Sequence, residues 1–211
     1  MICANGVFII ENVTNNVLLA NFFTPDEIEI ATTVLKAQNA YPVVHAYING
    51  KEQLSYMERY VTNAMQHFLN NRIGDPRRRI TQTADELYCG DVFRFTCMDT
   101  ADALSAIKSI FESDSRFTCV YTTEVYSGEK SFEILPINAT KANAALQLKT
   151  MLGCDRIVAF GDGQNDLSLF AVADEKYATQ NAVPELKSIA TAIIDSNDND
   201  GVAKWIETNL L

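Results

Sequence analysis

Four side chains in the C-terminal third carry most of the chemistry open to this sequence: Asp162, Asn165, Asp166 and Lys141. The first three lie in the stretch 156–170, RIVAFGDGQNDLSLF. Its apolar run 157–160 has the length of a buried strand, and Leu167, Leu169 and Phe170 resume at helical spacing. Gly161-Asp162-Gly163 separates the two. Strand, acidic turn and helix form the kind of α/β sheet edge at which ligands bind. Asp162, Asn165 and Asp166 stand at i, i+3 and i+4, so a helical turn would set them on one face. Such a cluster of hard oxygens suits Mg2+, and the free N–H groups of a helix start suit a phosphate beside it. The alternative is that Asp162 and Asp166 cap a helix in water.

Lys141 opens an expected helix of about 12 residues, ~18 Å long at 1.5 Å per residue, after which a short strand runs back. That geometry returns Lys141 to the sheet edge that carries Asp162. A lysine there would neutralise a substrate phosphate or a nucleophilic carboxylate. The alternative is a solvated lysine, slightly misplaced against the helix dipole. Other chemistries fail on residue type. Gly161-x-Gly163-x-x-Asp166 approaches a dinucleotide fingerprint, but its Asp stands where the third glycine belongs and would repel a pyrophosphate. There is no nucleophile elbow for Ser-His-Asp hydrolysis, and the two histidines, His45 and His67, lie in the middle of the chain. Separated histidines and unpaired cysteines exclude a zinc site. Arg77-Arg78-Arg79 reads as a solvated loop cluster, with contact to a distal substrate anion as the alternative.

The elements that must position these residues follow from periodicity and caps. Residues 2–10 and 16–23 are apolar runs around a polar connection, a strand leading into a hairpin. Thr24-Pro25-Asp26-Glu27 is a capping box with Pro at the first helical position, predicting a helix to about residue 39. Strands are expected at 43–48, 92–97, 117–126 and 131–134, and helices at 57–69 and 101–111. From residue 140 helix and strand alternate regularly: helix 141–152, strand 157–160, helix 167–172, strand 176–179, helix 183–190, strand 192–194, helix 201–210. That alternation predicts a parallel α/β sheet, whereas the middle of the chain reads as an α+β unit.

Composition narrows the class. The 211 residues allow one large domain or two small ones. A net charge of −10 excludes a nucleic-acid binder, which needs a Lys/Arg-rich face. Five scattered cysteines without a CxxC pair read as reduced thiols of a cytoplasmic protein. No apolar run has the length of a membrane span, and no signal peptide is legible.

Asp162-Gly-Gln-Asn165-Asp166 after an apolar strand, with a lysine at a helix start before it, resembles the Cof-type phosphatases of the haloacid dehalogenase (HAD) superfamily. The resemblance extends to Asn181-Ala182, to residues 196–202 (SNDNDGV) and to Ala4-Asn5-Gly6-Val7. It implies a HAD-like α/β core, residues 1–23 and 136–211, interrupted by an α+β cap over 24–135 that sets substrate specificity. It further implies a Mg2+-dependent phosphatase of small phosphorylated metabolites. Asp162 and Asp166 would serve the metal, Asn165 the substrate phosphate, and Lys141 the phosphate and the nucleophile. The sequence departs from the family in one respect. The DxDGT-type strand that carries the Asp nucleophile has no counterpart here, and Asp198-Asn-Asp200 lies in another segment. The expectation is therefore that a segment before Met1 supplies the nucleophile. The alternative is a non-catalytic phosphate- or metabolite-binding relative, or an inactive fragment.

Overall fold

A computed structural model describes residues 1–123 and 128–210. The chain divides into two compact units, Met1–Ala20 with Asn138–Leu211, and Asn21–Ile137.

The unit formed by Met1–Ala20 and Asn138–Leu211 begins with β1 (Ile2–Cys3), β2 (Phe8–Ile10) and β3 (Val17–Ala20), a small antiparallel sheet. Between β1 and β2 the chain reverses through a tight turn at Ala4–Gly6. Gly6 has φ +100°, and a Cβ there would lie 2.2 Å from the carbonyl oxygen of Thr140, so only glycine fits.

The Asn21–Ile137 unit starts with α1 (Pro25–Ala37). Its start is capped reciprocally: Thr24 accepts from the Glu27 N–H at 3.3 Å, and the Glu27 carboxylate takes the Thr24 N–H at 2.7 Å. β4 (Val43–Ile48) and β5 (Lys51–Tyr56) form a hairpin whose turn residues Asn49 and Gly50 both have positive φ. Then follow α2 (Asn63–Asn70), β6 (Arg78–Ile80), α3 (Ala84–Leu87), β7 (Asp91–Asp99), α4 (Ala101–Glu112), β8 (Phe117–Thr123) and β9 (Lys130–Pro136). The strands make one sheet in the order β6-β5-β4-β7-β9-β8. Leu35 of α1 and Leu104, Ile107 and Phe111 of α4 bury one face of it against Phe95, Phe132 and Ile134. Ala64, Met65 and Leu69 of α2 cover part of the other, over Val43, Leu54, Tyr56 and Met98.

Two expectations change here. The helix predicted over 57–69 is a separate turn at Glu58–Tyr60 followed by α2. Thr62 breaks it: its backbone is extended, its hydroxyl oxygen accepts from the Met65 N–H at 3.1 Å, and the hydroxyl donates to the Met98 carbonyl at 2.6 Å. Of the three arginines only Arg77 lies exposed on the loop; Arg78 and Arg79 belong to β6. Arg77 pairs with Asp75 and Glu52, Arg78 donates to the Tyr56 hydroxyl, and Arg79 donates to Ser55 Oγ and the Glu86 carbonyl. β6, lying parallel to β5, holds Arg78 and Arg79 at these partners. The part of the expected strand 117–126 beyond Thr123 lies outside the described residues.

The C-terminal part of the first unit contains α5 (Lys141–Leu152), β10 (Val158–Gly161), α6 (Leu167–Val172), β11 (Glu175–Thr179), α7 (Pro184–Ile189), β12 (Ala192–Ile194) and α8 (Gly201–Asn209). β10, β11 and β12 form a parallel sheet, as the alternation predicts. Its core is built from small residues, Ala159, Ala173, Ala178 and Ala182, around Phe170 and Leu186. Trp205 of α8 packs on the sheet through Phe160 and Tyr177, with ring centroids 5.2 and 4.3 Å away.

Candidate functional site

Lys141 is the first residue of α5, whose cap is Thr140: the Thr140 hydroxyl oxygen accepts from the Asn143 N–H at 3.0 Å. Gly153 ends the helix in the left-handed conformation, at φ +64°, and turns the chain back toward β10. The Lys141 ammonium thereby meets Asp166, 25 positions later, in an ion pair with Oδ1.

Asp166 is the organising residue of the turn after β10. Its second oxygen, Oδ2, accepts the N–H of Asp162 at 3.0 Å and of Gly163 at 3.1 Å. Burial pushes its carboxyl up, but Lys141 and these two N–H groups outweigh burial and hold it below the ordinary carboxylate range. The close fold-back requires Gly161, because a Cβ there would stand 2.8 Å from Asp166 Cβ and 2.9 Å from Oδ2.

The expectation that Asp162, Asn165 and Asp166 share one helical face fails. Gly163 is extended, at φ −109° and ψ 168°, so the helical turn begins only at Gln164 and leaves Asp162 outside it. Asp162 instead ends the strand side of the loop with an exposed side chain. Its Oδ2 accepts from Asn181 Nδ2 at 3.4 Å, and Asn181 Oδ1 in turn accepts the Asn197 N–H at 3.2 Å. Asn165 is exposed, its side-chain oxygen folded back near Gly163. Beside Lys141 lies a cavity of about 140 Å³, lined by Ile2, Asn5, Gly6 and Leu169.

The structure thus joins Lys141 to Asp166 directly and Asp162 to Asp166 through the backbone. Sequence reasoning assigned no part to Asn181, which ties Asp162 to the loop before α8. Its signal in the sequence was the Asn181-Ala182 pair of the family resemblance, which carried no stated role. Asp198 and Asp200 lie in a turn at the start of α8, on no strand.

Among the described residues no three His, Cys, Asp or Glu side chains converge into a metal cage. Both Asp166 oxygens are engaged by Lys141 and backbone N–H groups, whereas Oδ1 of Asp162 takes no hydrogen bond among the described residues. One available carboxylate fits Mg2+, which binds through one or two carboxylates, keeps several waters and accepts phosphate oxygens.

A parallel α/β sheet with an acidic turn at the carboxyl end of its first strand, and an α+β unit inserted in the chain, define the fold class. A solved haloacid dehalogenase-like hydrolase from B. subtilis shares it with a TM-score of 0.73 at 20% identity, over 98% of this chain and 78% of its own. The profile of the haloacid dehalogenase-like hydrolase family matches residues 1–206, and the chain belongs to that family. It is 44% identical over 75 residues to a phosphoglycolate phosphatase of Sulfurisphaera tokodaii, covering 35% of this chain and 33% of that protein. It is 42% identical over 83 residues to the 5-amino-6-(5-phospho-D-ribitylamino)uracil phosphatase YwtE of Bacillus subtilis, covering 38% and 29%. The matched stretch spans about a third of the length of these curated relatives.

Proposed function

We propose that the protein is a Mg2+-dependent phosphatase of small phosphorylated metabolites, with Lys141, Asp162, Asn165 and Asp166 as its phosphate-handling residues and the Asn21–Ile137 unit as the cap that selects the substrate. The observation that carries this reading is the Lys141–Asp166 pair, which fixes a cation beside a turn whose N–H groups are already clamped. Asp166 orders the loop, Lys141 offers its remaining N–H donors to a phosphate oxygen, and Asn165 offers an exposed amide. Asp162, steadied by Asn181, is the carboxylate that would hold the metal. Mg2+ supplies neutralisation of phosphoryl charge when bound. Family membership supports hydrolase chemistry, and both relatives named above are phosphatases of small phosphorylated compounds.

A second reading is favoured by one observation: the sequence has no Asp-x-Asp strand to accept a phosphoryl group. On that reading the same residues bind a phosphorylated metabolite without hydrolysing it. Turnover of p-nitrophenyl phosphate by the intact chain, with and without Mg2+, separates the two. Metal-dependent release of p-nitrophenol supports the phosphatase; binding of phosphate without turnover supports the second reading.

A further inference from the structure

The sheet of the Asn21–Ile137 unit ends on two unlike strands. β6, at one edge, is three residues long and carries Arg78 and Arg79. A short edge strand with charged side chains is guarded against pairing with another chain. β8, at the other edge, reads FTCVYTT over Phe117–Thr123 and contains no charged residue and no proline. The chain as a whole carries a net charge of −10, so an uncharged strip on an open edge is where a second copy meets least repulsion.

Register fixes which backbone groups of β8 are open. The Ile137 N–H donates to the Arg116 carbonyl at 3.1 Å, in line with the β8–β9 ladder. Antiparallel pairs alternate, so Thr118, Val120 and Thr122 exchange bonds with β9, and Cys119 and Tyr121 turn their N–H and C=O groups outward. Phe117 obeys the same alternation: its N–H goes to the Asp114 carbonyl at 3.2 Å instead of to β9. Among the described residues no strand pairs with that outer side.

The seven residues of β8 are complementary to themselves. An antiparallel two-fold through Val120 sets Cys119 opposite Tyr121 of the second copy as a hydrogen-bonded pair, and Val120 opposite its own equivalent. Thr118 then meets Thr122, so only β-branched residues face one another on that side of the sheet. α4 follows the same axis. Phe111 packs on Phe117 with ring centroids 5.1 Å apart, and the Lys108 ammonium lies 5.7 Å from the centre of the Tyr121 ring, so α4 runs antiparallel over β8. Lys108 is paired with Glu112 one turn along at 2.6 Å, both half-exposed. The two-fold runs the second copy's α4 antiparallel to the first, which brings each Lys108 toward Glu112 of the other copy. We infer that β8 is a homodimerisation strand: two copies of this chain pair edge to edge through Phe117–Thr123 and join their six-stranded sheets, with Lys108 and Glu112 facing each other across the axis. The inference stands on this unit alone and holds whether or not the phosphate site is catalytic.

The test is sedimentation velocity of the intact chain over a dilution series. The contact is small, so the expected result is a monomer–dimer equilibrium that shifts with concentration. Tyr121→Pro removes an outward N–H without touching the ladder to β9, and the two-fold loses that bond twice, so dimerisation should weaken at least about tenfold. Val120→Lys sets two cations face to face on the axis and should weaken the dimer by a separate route. Lys108→Glu should weaken it several-fold, and adding Glu112→Lys should restore it. Circular dichroism and thermal melting show whether each variant is folded. A chain that stays monomeric at every concentration, assembly beyond a dimer, or dimerisation unchanged in folded Tyr121→Pro or Val120→Lys would each overturn the proposal.

Discussion

The two units differ in the size of the side chains they bury and in how their loops are held. In the Asn21–Ile137 unit Phe93, Phe95, Phe111 and Phe132 are fully buried, and Arg77, Arg94 and Arg116 are all paired with carboxylates. The unit with β10–β12 is built around alanines and leaves Asp162 exposed with one oxygen unclaimed among the described residues. There the turn is held in shape by one carboxylate, Asp166, that collects two N–H groups and a lysine. Packing holds the Asn21–Ile137 unit together; a polar clamp holds the loop after β10 in the other unit.

The largest expected effect is on the packed side. Phe95→Ala should cost about 3–5 kcal/mol, the range for deleting a fully buried aromatic, read as a lowered denaturant midpoint. A loss below ~1 kcal/mol would erase the contrast between the units. Asp166→Ala comes next. Its side chain is 7% exposed, and removal strands the Lys141 cation and two N–H donors, at a cost of about 2–4 kcal/mol. Phosphate binding should fall with it, and retained binding would deny the clamp any functional part.

Acid should separate the units by their titrating groups. Burial lowers His45 to about 4, with Arg94 and Arg77 acting in the same sense and Glu52 opposing. The unfolded chain takes up a proton near pH 6.5 that the folded chain refuses, so stability is complete above 6.5 and declines as pH falls to about 4. The full loss is about 3 kcal/mol at 1.36 kcal/mol per pKa unit. Asp166 is shifted the other way relative to its charged form: its carboxyl is held low, so its contribution persists above its unfolded value of about 3.9 and is lost only below it. Unfolding free energy against pH should therefore bend first through His45, and His45→Gln should flatten the curve between pH 6.5 and 4. Persistence of the bend in that variant would assign it to another group. The smallest effect is expected for Arg77→Ala, whose half-exposed pair with Glu52 is worth less than about 1 kcal/mol in thermal melts.

What was legible in the sequence was local. α5 runs from Lys141 to Leu152 and β12 from Ala192 to Ile194, where periodicity and caps put them. The Thr24 capping box marked the start of α1 for the same reason. What was not legible depended on partners distant in sequence. Thr62 ends the expected helix at 57–69 because its hydroxyl reaches Met98, and Arg79 is held by Ser55 and Glu86. The i, i+3, i+4 spacing at the acidic turn misled because spacing cannot reveal that Gly163 is extended. Lys141 and Asp166 were both legible as candidates, but their direct pairing required the fold. The His45–Arg94–Glu133 chain left no pattern at all, since it crosses three strands.

The central claim is that the turn clamped by Asp166 presents Asp162 and Lys141 to a metal-bound phosphate. Calorimetric titration of inorganic phosphate into the intact chain, with and without Mg2+, tests it when repeated with Asp162→Ala. The wild type should bind phosphate in a Mg2+-dependent way and the variant should lose that binding, with the Asn21–Ile137 unit still folded. Phosphate binding that survives unchanged in Asp162→Ala would contradict it.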